Sequence, residues 1–482
     1  VLTGLMITAF SMTSCLNDDI VEVTYANETS ITSLTLGTLW HEVVGKAQDG
    51  SDSLYMDTLS FEDYPFTIDQ LNRTIENKDS LPVNVDISRV LIKDISADTP
   101  YIIYGKIKEA GGEVKDTLWT STDTIDFSLA PVEGLTFKVM SMNGIYGREY
   151  HVKVNKHKQE PDLLAWSENE SQVPFTARTL IRQKAVYAGG RIYVFGQNGN
   201  TPCIEYTTVS ANGKADGWTP IENVPANTNT YSAMVWNETV YFLAGGALYE
   251  LANDVPQLSA ASPADIQLKQ LLANATTSAG ATYLYAYTDD NRCMTYDGTT
   301  WSEDASGFTL PSADQRFSFT FLPISYNANM ARVLLFGTHK DNAGTESGFM
   351  ATRLTGENAW NAYNYTQADT LRCPNITDGT MIYYDKKLYA FGGAINSEQH
   401  EDYQAPFSTF FVSTDNGLTW KPVTEDVTFP TSSFAGKYQA GRTLGEGCYS
   451  CVVDGNDFIW IIWHDGTMSR GRINRLGFLP KW

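Results

Sequence analysis

The side chains with most chemistry to offer are arginines. Arg178 and Arg182 stand in ThrAlaArgThrLeuIleArg, Arg316 in AspGlnArgPhe, Arg372 in LeuArgCysPro and Arg442 in AlaGlyArgThrLeu. Each precedes an apolar, strand-like run. A guanidinium is a planar fork of donors that matches a carboxylate, so arginines gathered in one place make an anion site. The same residues also have a structural use, donating to backbone carbonyls or pairing with neighbouring acids. The usual catalytic patterns GxSxG, HExxH and the P-loop are missing. The six histidines, at 41, 151, 157, 339, 400 and 464, show no metal-ligand spacing, so neither a His-based zinc site nor a cofactor is expected. Asp289-Asp290 and Asp454–Asp457 fall in turn-like stretches, where carboxylates bond their own backbone. Cys448 and Cys451 have CxxC spacing, but in a strand they point to opposite faces and read as small buried hydrophobes.

These side chains need elements to hold them. The chain has 482 residues, 42% of them hydrophobic, enough for two substantial cores. Aromatics reach 12%, glycine is frequent, and long helix-period stretches are scarce, which predicts an all-β protein of short strands and turns. From about residue 160 the sequence repeats itself. The unit is an apolar strand, a tight turn, an aromatic strand often ending in glycine, then a polar stretch closing on a Trp strand. Its hairpins fall at 185–196, 233–246, 277–287, 325–337, 381–393 and 451–463.

This repeat resembles the Kelch repeat, which implies a six-bladed β-propeller over 160–482. Ser413-Thr414-Asp415-Asn416-Gly417-Leu418-Thr419-Trp420 resembles the Asp-box. That resemblance implies structural roles: Asp415 ties the turn with Ser413 and Gly417, and Trp420 packs between strands. Trp166, in LeuLeuAlaTrpSerGlu, has no hairpin before it, and the sixth unit lacks a Trp strand of its own. Residues 163–168 are therefore expected to complete the last blade, with Trp166 beside 471–476, closing the propeller with N- and C-terminal strands and removing its free edges. In such a ring the segments ahead of the inner strands approach the axis. Arg178, Arg182, Arg316, Arg372 and Arg442 are thus the candidate ligand-binding residues.

Residues 28–157 alternate short strands with turns. Leu135–Val139 and Tyr150–Val154 flank Asn143-Gly144 and read as a β-hairpin. A domain ending this way resembles the Ig-like or cadherin-like β-sandwiches of Bacteroidota surface lipoproteins. The run Val1–Met12 is apolar but too short to span a bilayer, and it leads into Met12-Thr13-Ser14-Cys15. This resembles a lipobox. It implies a signal peptide over 1–15, lipidation of Cys15 and a linker over 16–27, where Asp18-Asp19 resembles a surface-export signal. A net charge of −22 argues against nucleic acid and leaves the lipid anchor as the one membrane contact expected.

The whole chain is similar to Bacteroidota surface lipoproteins of unknown function that join an Ig-like domain to a Kelch-like propeller. The expected localisation is the outer membrane, facing the exterior. The expected role is non-catalytic binding of a glycan or protein ligand at the central propeller face. One alternative is a scaffold subunit of an outer-membrane complex, which would show a large apolar patch. Another is a sialidase-like glycoside hydrolase or lyase, which needs two carboxylates, or a Tyr/Glu pair and an Asp, converging at the axis.

Overall fold

The computed structural model describes residues 27–478 apart from 48, 50, 145–146, 211–212, 312–314, 341–345, 366–369, 394–404 and 431. The expected signal segment, Cys15 and almost all of the linker lie outside the described residues. The chain divides into two compact units, with the division after Glu160.

The first unit carries a six-stranded sheet in the spatial order Phe66–Asp69, Thr74–Asn77, Gly147–Lys153, Leu135–Met140, Ile102–Lys106 and Lys115–Leu118. A three-stranded sheet of Ile31–Leu36, Val90–Ala97 and Thr124–Ile125 shares its core. The strand Leu135–Met140 shows how the sequence makes this: Leu135, Phe137 and Val139 are buried and their neighbours half-buried, the period-2 alternation of a one-sided strand. It pairs antiparallel with Gly147–Lys153, Phe137 opposite Tyr150. Gly144 takes the left-handed φ of +71° that the turn demands. A separate hairpin, Leu39–Lys46 with Asp52–Leu59, forms a two-stranded sheet.

Among its described residues the second unit forms six four-stranded antiparallel sheets. Their first strands are Ile181–Ala188, Thr228–Trp236, Leu268–Thr276, Ser318–Pro323, Thr380–Tyr384 and Tyr449–Val453. Each first strand packs against the next sheet's first strand, and the sixth packs back against the first. Six apolar clusters fill the spaces between successive sheets. Both faces of the middle strands are therefore buried: Val194 packs toward the sixth sheet, while Tyr193 and Phe195 pack toward the second. This is why these strands read as unbroken apolar runs such as Tyr193-Val194-Phe195.

The sixth sheet takes three strands from the end of the unit and its fourth, Leu164–Ser171, from the start. Trp166 stands opposite Gly471, as the unmatched Trp motif predicts. A Cβ on Gly471 would lie 2.7 Å from the Trp166 ring, and the indole Nε1 donates to the Thr428 carbonyl at 2.8 Å. Glycine is thus required there to let the indole lie flat on the strand. One element was not foreseen in the sequence, the helix Ser433–Arg442 between the fifth and sixth sheets. Its apolar content is low, with only Phe434, Tyr438 and Gly441 buried, so it gives little helical periodicity to detect.

Candidate functional site

The six first strands surround an axial cavity of about 390 Å³. At one end its wall is built from Lys184, Arg316, Thr380 and Ser450, early in their strands or just before them. Toward the hairpin ends of the same strands it passes Tyr187, Val235, Phe321, Ile382 and Val453. None of its lining residues is an Asp or Glu.

Arg316 forms the floor. Its guanidinium donates through Nη1 to the carbonyls of Gln183 (3.3 Å) and Tyr449 (2.5 Å), and through Nη2 to the Asp378 carbonyl (2.6 Å) and Thr380 Oγ1 (3.1 Å). It also stacks on the Tyr449 ring at 4.7 Å. One side chain from the segment ahead of the fourth sheet thus ties the first, fifth and sixth sheets together. Asp378 holds a left-handed φ of +51° that aims its carbonyl at Arg316. Its carboxylate accepts from the Gly447 N–H (3.0 Å) and the Tyr438 hydroxyl (2.9 Å). Tyr449 Oη donates to the same Asp378 carbonyl at 2.7 Å.

Lys184 lies beside this floor and is only 8% exposed. Its Nζ donates to the Tyr231 carbonyl at 3.0 Å. Among the described residues no carboxylate lies within ion-pair distance of it. Burial, reinforced by the positive Arg316, lowers its amine from the ordinary 10.5 to about 7. Cys451 lines the same cavity, and burial pushes its thiol up to about 12, which leaves it an inert thiol at neutral pH.

Of the five candidate arginines, the structure brings three into one neighbourhood. Arg182 stacks on the Tyr231 ring at 4.6 Å, and its backbone N–H donates to the Glu446 carbonyl at 2.9 Å. Arg442, the last residue of the helix, lies 3.9 Å from both the Asp378 and the Glu446 carboxylates. Arg316 is the third. Its fork, however, is engaged by four protein acceptors, so it is not free to clamp an incoming carboxylate. Arg178 is exposed in a turn with φ +70°, and Arg372 is half-buried ahead of the fifth sheet. The residues that sequence reasoning missed are Lys184, Tyr231, Asp378, Tyr438 and Tyr449. Lys184 left a trace, a lysine directly ahead of the apolar AlaValTyrAla run. Asp378 left none beyond an ordinary Asp-Gly turn.

The turn carboxylates are used locally. Asp415 Oδ1 accepts from Ser413 Oγ (2.8 Å) and the Thr419 N–H (2.9 Å), and Ser413 Oγ in turn accepts from the Gly417 N–H (2.9 Å). Trp420 is buried, with its Nε1 on the Gly417 carbonyl at 3.1 Å. Asp454 accepts from the Asn456 and Phe458 N–H groups and from Trp460 Nε1. The five described cysteines are free thiols. Among the described residues no group of His, Cys, Asp or Glu is placed to hold a metal, and no helix is long and apolar enough to cross a membrane.

Several solved structures are similar at a distance. A protein of unknown function from Bacteroides thetaiotaomicron is 12% identical, with 85% of this chain and 98% of that one covered and a TM-score of 0.37. An alpha-L-arabinanase of Penicillium chrysogenum is 12% identical over 64% of this chain and 96% of its own, TM-score 0.35. A gluconolactonase of Xanthomonas campestris is 11% identical over 64% and 98%, TM-score 0.33. At these scores none of the three says what this chain binds or does. No curated protein matches the sequence. Residues 34–154 match the DUF6242 N-terminal domain, a domain of unknown function, and residues 160–481 match the DUF6242 beta propeller domain. The chain belongs to the DUF6242 family.

Proposed function

We propose that this protein is a non-catalytic binding protein of the cell surface, which takes a small ligand or the terminal group of a glycan into its axial cavity. In this reading the propeller is six-bladed and Kelch-like, one blade per four-stranded sheet. The first unit is an Ig-like spacer, and Cys15 carries a lipid anchor in the outer membrane. The observation that carries the proposal is the cavity itself. Its volume of about 390 Å³ falls in the range of small-ligand sites. Its wall mixes apolar side chains (Met234, Phe319, Phe321, Ile382) with a few polar groups (Lys184, Asn274, Ser318, Thr320), the usual composition of a binding pocket. A glycosidase needs a pair of carboxyl groups across the scissile bond, and the lining of this cavity offers none.

The test is a glycan array with the chain from residue 20 onward, beside a Thr320→Trp variant that fills the cavity. Selective binding lost in the variant supports the proposal. A folded wild type that binds nothing on the array, and no small ligand either, refutes it. Arg316 is the wrong residue to change in this test, because its substitution also unties three sheets.

A second reading, a scaffold subunit, draws on the hairpin of the first unit. Trp40, Val44, Leu54 and Met56 share one face, since Val44 opposes Leu54 and Met56 opposes Glu42, and all four are exposed. A Trp40→Ser, Leu54→Ser double variant that loses a surface partner in a pull-down, while ligand binding persists, would favour this reading.

A further inference from the structure

We propose that Lys184 is an imine-forming residue, and that the ligand of the axial cavity is a small apolar aldehyde that condenses with its amine. The proposal rests on reading the cavity as a ligand site and names the chemistry of that site.

The geometry supplies what such a lysine needs. Lys184 belongs to the cavity wall and is otherwise buried. A lysine amine can donate three hydrogen bonds when charged, and among the described residues it has one protein acceptor, the Tyr231 carbonyl. No carboxylate among the cavity-lining residues holds it as an ammonium, and the cationic Arg316 shares the wall. Desolvation and a like charge are the two conditions that turn a lysine into a nucleophile near neutral pH, and both occur here. Burial brings the amine to about 7, so about half of it carries a free lone pair at that pH. Met234, Phe319, Phe321 and Ile382 supply an apolar wall for the body of the ligand, and Ser318 and Thr320 bring hydroxyls to the same lining.

The step balances without any redox partner. The Nζ lone pair attacks the aldehyde carbon, forming the C–N bond as the carbonyl π pair moves to oxygen. The carbinolamine then loses that oxygen as water, taking both amine protons with it, and leaves a neutral imine. Hydrolysis runs the same step backward, so the ligand is held reversibly.

The experiment treats the whole protein at pH 7 with benzaldehyde and sodium cyanoborohydride, which reduces an imine to a benzylamine, and locates the product by peptide mass mapping. The free-base fraction of an exposed lysine of pKa about 10.4 is about a thousandfold smaller at this pH. Lys184 is therefore expected to carry the benzyl group at least about tenfold ahead of any exposed lysine, after allowance for its lower basicity. Benzyl alcohol, which has the same body without the carbonyl, should compete, and Lys184→Met should lose this site while the surface sites label as before. Benzyl alcohol bound in the cavity with Lys184 unlabelled by benzaldehyde would overturn the imine and leave the binding reading standing. Neither bound alcohol nor a labelled Lys184 would overturn the imine and count against the cavity as an apolar ligand site. The mapping of wild type decides the matter even if the variant fails to fold.

Discussion

Replacing Lys184 with methionine should make the protein more stable, and by an amount that depends on pH. The folded protein holds the Lys184 amine at about 7 against 10.5 ordinarily. Each tenfold difference in proton affinity is worth about 1.4 kcal/mol, so the buried ammonium costs folding about 5 kcal/mol below pH 7. The sign follows from proton counts. Between pH 7 and 10.5 the unfolded chain binds the proton and the folded chain does not, so stability rises with pH across that window and is lowest below it. At pH 7 about 4 kcal/mol of the cost remains, and at pH 9 about 2 kcal/mol. Methionine keeps the unbranched apolar stem and removes the charge. It forfeits the bond to Tyr231, about 1 kcal/mol, but that carbonyl still accepts from Gln270 Nε2 at 3.1 Å and is not orphaned. The variant should therefore gain about 2–4 kcal/mol at pH 7 and about 1 kcal/mol or less at pH 9. Urea unfolding of both proteins at the two pH values reads this as a shift in midpoint that shrinks as pH rises. A variant less stable than wild type at pH 7, or a difference that does not change with pH, would refute the reasoning.

Three further outcomes are expected. Arg316→Met should lower stability by about 3–5 kcal/mol in urea, because it leaves the Gln183, Tyr449 and Asp378 carbonyls without their shared donor across the axis. Arg353 and Asp304 form a buried ion pair, each side chain 2% exposed, and burial raises the Asp304 carboxyl despite its partner. Arg353→Met strands that carboxylate at a cost of about 3–5 kcal/mol at pH 8, and the loss should shrink as the pH falls, because protonation relieves the stranded charge; a loss that stays constant with falling pH in thermal melts would contradict this. Trp166→Ala should remove the indole that covers Gly471 and cost about 2–4 kcal/mol, and limited proteolysis should then cut within 161–171 before any other part of the second unit.

The sequence by itself determined the parts of this protein that depend on local pattern. The all-β composition, the repeated strand–turn–strand units and the hairpin at Phe137 and Tyr150 all follow from side-chain alternation and turn residues a few positions apart. The pairing of Trp166 with Gly471 was legible too, although they stand 305 positions apart, because one unit had a spare Trp strand and another lacked one. The site was another matter. Five arginines looked alike in sequence, each ahead of an apolar strand, and their spacing could not separate a ligand clamp from a tie. The tertiary structure decided that, because it alone sets which carbonyls of the first, fifth and sixth sheets converge on Arg316 and which carboxylates come near Arg442. It also decided the state of Lys184. A lysine's charge depends on the water and ions within a few ångströms of it, and those neighbours come from strands that lie far apart in the chain.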